Sequence, residues 1–176
     1  MNSVQTIEAL RLFARATAIL VMIVIAGAMV RFTGHELVFN GSPSVPRGLY
    51  WIRLGATPSA KGDVVVFRPP ASFAALIYGR GWLPVGMPLL KPVGGLEGDR
   101  FCVEGSRFIV NGVDVGPVFI SDSHGLAVPQ LVGCRHVEQD EFLPVSTFLA
   151  RSFDGRYMGA VPMGRVIGTG LPIWTY

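Results

Sequence analysis

The chain has 176 residues, of which 50% are hydrophobic and 15% are charged. This composition excludes a disordered tail, which would be rich in charge and poor in aromatic residues. The net charge of +3 is spread along the chain without a basic run, so we expect no nucleic acid partner. The 22 glycines and 13 prolines favour short strands joined by turns over a helical bundle.

An uncharged and almost wholly apolar segment runs from Ala16 to Val30, with arginines on both sides. It is short for a spanning helix, which needs about 20 residues, but Phe32 and the flanking arginines can lengthen it. We predict a cytoplasmic stub and membrane anchor over residues 1–35. The alternative is a signal peptide cleaved at Ala26-Gly27-Ala28. In both cases residues 36–176 lie outside the cytoplasm, and the arginines before the segment favour an N-terminus in the cytoplasm.

The remaining residues predict a small, mainly β domain behind one N-terminal transmembrane helix. Ala71–Tyr78 has helical composition, with Gly79 after it as a stop, and Phe119–Arg135 is expected to form a loop. Asn111-Gly112 is a strong hairpin signal. Apolar and β-branched stretches predict strands over Gly48–Leu54, Val64–Phe67, Pro88–Val93, Arg100–Glu104, Arg107–Val110, Val113–Val115, Glu141–Ala150 and Gly164–Trp174.

The two cysteines, Cys102 and Cys134, are 32 residues apart and lack the C-x-x-C spacing of zinc or thioredoxin-like sites. We therefore expect no metal. A disulfide formed in an oxidising compartment and a pair of buried thiols both fit this number of cysteines.

Three short segments carry residues that can perform chemistry. Ser44 lies in a Pro/Gly-rich turn before a strand, where an ordinary surface turn is the alternative. Lys91 lies in an aliphatic stretch, where burial would lower the pKa of its amine and let it act as a general base. A strand lysine with a solvated amine is the alternative. The segment Ser152–Tyr157 is either an exposed Asp–Arg turn or a shell that orients a catalytic base.

A serine nucleophile needs a base, and the sequence limits the choice. None of the three histidines lies in a Ser-His-Asp signature, and there is no G-x-S-x-G elbow. A Ser–Lys dyad is the known alternative. Of the two lysines, Lys61 lies in an exposed-looking K-G-D turn, so the choice narrows to Lys91.

The three segments together resemble the type I signal peptidases. The matching motifs are S-x-S-V-P at Ser42–Pro46, LLKPVGGLEGD at Leu89–Asp99 and SFDGRYMGAVP at Ser152–Pro162. The S-V-P-x-G-L-Y opening is most similar to the TraF-type peptidases of conjugative transfer systems. Two departures from general signal peptidases favour this branch, namely Val45 where methionine is usual and Ser146–Arg151 where G-D-N-R is usual.

The resemblance implies a β-rich catalytic fold and a role for each matched residue. Ser44 matches the nucleophile and Lys91 matches the general base. The hydroxyl of Ser42 matches a donor of the oxyanion hole, alongside the Ser44 backbone N–H. Asp154 matches the acidic residue that the TraF branch requires. The supporting positions around the lysine are Ser152 and Arg156.

The resemblance also implies where the protein acts and on what. We expect a single-pass protein of the bacterial cytoplasmic membrane, with its catalytic domain in the periplasm and no cofactor. Its substrates would be secreted or membrane-tethered precursors, with a pilin of a conjugative system first among them. The acceptor would be water or the amino terminus of the pilin itself, giving a cyclic subunit. The alternatives are a housekeeping signal peptidase that cleaves after A-x-A and a non-enzymatic envelope or pilus-assembly subunit.

Overall fold

A computed structural model describes residues 3–176, with side chains described from residue 7 onward, so residues 1 and 2 of the predicted stub lie outside the described residues. The chain divides after Glu36 into two compact units.

The first unit is dominated by one apolar helix, α1, from Ser3 to Phe32. Its segment Ile7–Phe32 has 26 residues and contains an 18-residue stretch with a mean hydropathy of 2.2, none of which is buried in the protein. At about 1.5 Å per residue this segment is about 39 Å long, which exceeds the roughly 30 Å hydrocarbon core of a bilayer. The helix therefore starts well before the predicted segment at Ala16 and fits a single-pass membrane anchor. A signal sequence near the N-terminus has a similar length and composition, so these two properties do not distinguish it from a membrane anchor.

The rest of the chain forms two antiparallel sheets, which confirms the predicted mainly β fold class. The seven-stranded sheet has the order β1-β2-β11-β3-β4-β9-β10, and the four-stranded sheet has the order β7-β6-β5-β8. The strands are β1 His35–Asn40, β2 Gly48–Leu54, β3 Val64–Phe67, β4 Leu89–Gly95, β5 Arg100–Glu104, β6 Arg107–Val110, β7 Val113–Pro117, β8 Gly133–His136, β9 Glu141–Pro144, β10 Val161–Pro162 and β11 Val166–Thr175. The helices are α2 Ala71–Gly79, α3 Gly155–Met158 and a 3₁₀ turn at Met163–Arg165.

Five elements differ from the sequence prediction. The strand predicted over Glu141–Ala150 ends at Pro144. The Val145 N–H still donates to the Pro92 carbonyl oxygen of β4, but the Ser146 N–H donates to the Asp154 carboxylate instead of a neighbouring strand. The loop predicted over Phe119–Arg135 contains the start of β8, which pairs with the distant β5. The short strands β1 and β10 and the helix α3 are not predicted either. Strand β10 has two residues and α3 has four residues, which is too few for a periodic pattern to reveal them.

Strand β9 separates two hydrophobic clusters. Phe142 packs in one cluster, where its ring meets Phe67 edge-on at 5.2 Å, whereas Leu143 packs in the other with Phe101 and Phe108. Side chains on a strand alternate between its two faces, so each face of β9 contributes to a separate core. The strand is thereby fixed from both sides, and the candidate site begins two residues after it.

Cys102 and Cys134 form a disulfide, which settles the question that the sequence left open. The two residues are direct partners in the register of β5 and β8. The bond therefore ties β8 to the sheet after the long excursion that follows β7.

Gly155 shows how closely α3 approaches β9. A Cβ atom at this position would lie 2.7 Å from both the Pro144 carbonyl oxygen and Leu143 Cδ1. Backbone of a fixed strand cannot move aside cheaply. We predict that Gly155→Ala lowers the free energy of unfolding by about 1–3 kcal/mol, measured by urea denaturation. Gly164→Ala is the matched control, since a Cβ there meets nothing within 4 Å. Equal stability of the two variants would contradict this account.

Candidate active site

The loop that carries Ser44 connects β1 to β2 and is held from inside by Asn40. The side-chain nitrogen of Asn40 donates to the carbonyl oxygens of Ser42 at 2.8 Å, Pro46 at 3.1 Å and Val45 at 3.3 Å. Its side-chain oxygen accepts the Ser42 N–H at 3.0 Å. Asn40 is buried and was not among the predicted site residues. An asparagine just before a Pro/Gly-rich turn is a known backbone-bonding position, and that is the signal that could have revealed it.

The two serines of the loop contact each other. Their Oγ atoms lie 3.0 Å apart in a hydrogen bond, and the Ser44 N–H donates to Ser42 Oγ at 3.3 Å. Ser44 is only 2% exposed, whereas Ser42 lies at the surface. The structure thus places the predicted nucleophile and the predicted oxyanion donor side by side, and the alternative of an ordinary surface turn does not apply to Ser44.

Lys91 lies in β4 and is 5% exposed. Because side chains alternate along a strand, Lys91 points to the same buried face as Val93. Its amine donates to Ser152 Oγ at 2.7 Å. Burial lowers the pKa of the Lys91 amine to about 8 from its ordinary value of 10.5; the nearby Asp154 carboxylate raises it and the Arg156 guanidinium lowers it. Roughly a tenth of the amine is therefore neutral at pH 7.

Asp154 and Arg156 form a fully buried ion pair. Arg156 Nε donates to Asp154 Oδ1 at 2.9 Å, and the two side chains are 1% and 0% exposed. The remaining guanidinium nitrogens donate to the carbonyl oxygens of Pro117, Ala150 and Ser146. A buried ion pair survives only when such hydrogen bonds satisfy both ions. The alternative of an exposed Asp–Arg turn is therefore wrong.

Ser146 connects this ion pair to the serine loop, and sequence analysis did not identify it. Its N–H donates to Asp154 Oδ2 at 2.9 Å and its carbonyl oxygen accepts from Arg156 at 2.6 Å. Its hydroxyl donates to the carbonyl oxygen of Ser44 at 2.5 Å. A serine after a strand carries no local signal for such a role, because its partners are 8 to 102 residues away.

A cavity of about 200 Å³ opens onto both Ser44 and Lys91, and its other walls are mostly apolar. We call it the serine–lysine cavity. Within the described residues, Lys91 Nζ donates to Ser152 Oγ, and Ser44 Oγ is hydrogen-bonded to Ser42 Oγ. Catalytic hydrogen bonds are often formed only once substrate is bound, so this resting arrangement is compatible with proton transfer between them.

Metal ligands are not assembled at this cavity in the part of the chain that the structure describes. Elsewhere in that part of the chain, potential ligand atoms of Cys102, Cys134 and Glu104 lie close together. The two sulfur atoms are joined in the disulfide and offer no thiolate.

A small β domain with a buried serine and a buried lysine at one cavity is typical of serine peptidases that use lysine as the base. Residues 10–175 match the family model described as signal peptidase, peptidase S26. The chain therefore belongs to the S26 signal peptidase family. Membership of this family implies that the protein is a serine peptidase.

Relatives within this family carry names from plasmid transfer. The chain is 31% identical to a conjugal transfer protein TraF of Agrobacterium fabrum (strain C58 / ATCC 33970), over 88% of this chain and 91% of that protein. It is 32% identical to a conjugal transfer protein TraF of Agrobacterium tumefaciens (strain 15955), over 94% and 95%. A plasmid transfer protein TraF of Escherichia coli is 28% identical, over 78% and 82%. The predicted resemblance to TraF-type peptidases is confirmed by these matches.

A solved structure of a signal peptidase I from Enterococcus faecalis V583 is 18% identical, with a TM-score of 0.38 over 65% of this chain and 98% of that chain. The family assignment stands on the sequence match alone.

The buried Lys91 amine should leave a signature in the stability of the protein. Between pH 8 and 10.5 the folded state has released the proton that the unfolded state still binds, so stability rises with pH there. We predict that wild-type protein gains stability relative to Lys91→Met as the pH rises through this window, measured by urea denaturation. Lys61→Met is the control, because Lys61 is 54% exposed and pairs with Asp99 at the surface. Parallel pH profiles of wild type and Lys91→Met would contradict a buried amine.

Proposed function

We propose that this chain is a membrane-anchored serine endopeptidase in which Ser44 is the nucleophile and Lys91 the general base. The observation that carries the proposal is the burial of the Lys91 amine beside the cavity that also holds Ser44. Only an unprotonated base can accept the proton of a serine hydroxyl, and burial favours the unprotonated form. A scaffold subunit has no use for a cation placed in this environment.

The first chemical step follows from these two groups. Neutral Lys91 accepts the proton of Ser44 as Oγ attacks the carbonyl carbon of the scissile peptide bond. The oxyanion that forms accepts hydrogen bonds from the Ser42 hydroxyl and the Ser44 N–H, which bond to each other in the resting state. One such donor is typically worth about 10²–10³ in rate. The Lys91 ammonium then protonates the leaving amine, which leaves an acyl-enzyme on Ser44.

The acyl-enzyme is resolved by an acceptor that Lys91 deprotonates. With water the product is a free carboxylate, and with the amino terminus of the substrate the product is a ring. Both acceptors transfer one proton to Lys91 and release Ser44 with its own proton restored, so the same residues serve either outcome.

Four further side chains support these two groups. Ser152 holds the Lys91 amine at 2.7 Å. The Asp154–Arg156 pair sets the charge near that amine, and its link through Ser146 reaches the Ser44 carbonyl. This connection ties the position of the nucleophile to the electrostatic environment of the base.

The helix α1 supplies the membrane anchor in this proposal, with the catalytic domain on the periplasmic face of the cytoplasmic membrane. A membrane-tethered precursor and an anchored peptidase share one plane, which raises their effective concentration. The relatives are named for conjugal and plasmid transfer, which supports a precursor from a conjugative system as substrate, and the substrate in this proposal is a pilin precursor. A housekeeping role is the competing possibility, and complementation of a strain depleted of its own signal peptidase separates the two.

Two substitutions test the pair directly. We predict that Ser44→Ala and Lys91→Ala each lower processing of a co-expressed pilin precursor by at least about 10³-fold, while both proteins stay folded and membrane-bound. Mass spectrometry of the product measures cleavage, and a further loss of one water reveals ring closure. Lys61→Ala is the control and should process normally. Wild-type processing by Lys91→Ala would reject the assignment of the base.

The pH profile of the purified enzyme provides a second test. Because the base must be unprotonated, kcat/KM should rise about tenfold per pH unit below the pKa of Lys91, which is about 8, and then level off. Initial rates on a precursor peptide between pH 6 and 9.5 measure this dependence, with circular dichroism as the check that the protein stays folded. A flat profile across this range would be inconsistent with Lys91 as base.

A further inference from the structure

A second and larger cavity, of about 390 Å³, adjoins the candidate site. It reaches the site through Ser42 and Ser152, and it shares Ser42 and Trp82 with the serine–lysine cavity. The two cavities therefore lie next to each other, with Ser42 common to both. None of the steps proposed above uses the larger cavity.

Aromatic side chains form much of its wall, and we call it the aromatic cavity. Phe153 stacks on Tyr157 with ring centroids 5.2 Å apart, and Trp82 lies 5.0 Å from Phe153. The Tyr157 hydroxyl accepts the N–H of Phe119, another wall residue, at 3.1 Å. These contacts hold the walls in place before any ligand arrives. A preformed apolar cavity of this size suits a large apolar or aromatic side chain.

The charges around the aromatic cavity are unequal. The carboxylate of Asp122 is bound by Arg80 at 2.9 Å and by the backbone N–H groups of His124 and Leu126. Arg151 also lines the cavity, with its guanidinium 3.9 Å above the centre of the Phe119 ring. Its guanidinium donates to the Ser121 carbonyl oxygen at 3.0 Å, and no carboxylate of the described residues lies within ion-pair distance of it.

Within the described residues, Arg151 is therefore a cation without an anionic partner, and it lies where a ligand in the aromatic cavity would meet it. Stacking on Phe119 keeps one face of the guanidinium away from water and leaves its edge free for donors. A planar guanidinium recognises a carboxylate through two parallel hydrogen bonds. The complementary ligand group is an acidic side chain.

We infer that the serine–lysine cavity and the aromatic cavity bind the substrate on opposite sides of the scissile bond. The aromatic cavity selects a large apolar side chain next to an acidic residue that pairs with Arg151. A peptide whose scissile carbonyl lies at Ser44 and Ser42 must continue in both directions, and the two cavities adjoin at that point. This inference rests on the proposed peptidase function, whose failure the test below reports separately.

The experiment uses the full-length enzyme in detergent and peptides spanning the cleavage site of the precursor it processes. In a series of these peptides, a pair made of one acidic and one aromatic residue is placed at each successive position on either side of the scissile bond. Wild-type enzyme should prefer the pair at one position on one side, by about five- to tenfold in kcat/KM over the same peptide with Gln in place of the acid. Replacing the aromatic residue of that peptide with Ala should remove most of this preference.

Charge reversal identifies the partner of the acidic residue. Arg151→Glu should lose the preference for the acidic peptide and gain one for the peptide with Lys at that position, while Arg151→Lys should keep part of the original preference. Arg53→Glu is the control, since Arg53 is an exposed residue of β2 outside both cavities, and it should behave like wild type.

Three results are distinguishable. Reversal of the charge preference in Arg151→Glu supports the inference. Efficient cleavage with equal preferences in wild type and Arg151→Glu overturns the inference and leaves the peptidase function standing. Absence of cleavage of every peptide and of the intact precursor, together with no labelling of Ser44 by an acyl-phosphonate probe, overturns the peptidase function and this inference with it.

Discussion

The burial of one amine, that of Lys91, is the constraint around which the candidate site is built. A protonated amine removed from water loses hydration that a single hydrogen bond to Ser152 does not replace, so the proton is held less tightly and the pKa falls. The same environment would be unfavourable in a protein that needed only stability. The neighbouring carboxylate of Asp154 limits the decrease in the Lys91 pKa. The resulting pKa of about 8 lies near neutral pH, where a general base is effective.

The fold meets this constraint by fixing the surroundings of the amine on independent elements. Strand β4 carries Lys91, the turn after β9 carries Ser146, and the loop before β2 carries Ser44. The β9 strand is held by hydrophobic clusters on both faces, and Asn40 holds the serine loop. Since these elements come from distant parts of the chain, the site exists only when the whole domain is folded. The buried and hydrogen-bonded Asp154–Arg156 pair then connects these elements through Ser146.

The residues of the predicted site were accessible from sequence because each has an unusual chemical identity or motif context. Two lysines occur in the chain, and one lies in an aliphatic strand, so its burial could be inferred from composition. The motifs around Ser44 and Asp154 supplied the remainder by resemblance. Asn40 and Ser146 were not found, because their side chains bind backbone groups of other residues, and backbone groups carry no residue-type signal. Their roles depend on where the main chain passes, and a single sequence does not contain that information.

The sequence by itself determined that the domain is mainly β, that an apolar helix precedes it, and which of the two lysines lies in an aliphatic strand. Those features follow from local composition, strand periodicity and the scarcity of candidate bases. Tertiary structure decided the rest: the disulfide between Cys102 and Cys134, the burial of the Asp154–Arg156 pair, and the meeting of two cavities at Ser42. Each of these depends on contacts between elements far apart in the chain, where the free energy comes from packing between elements and not from the pattern within one element.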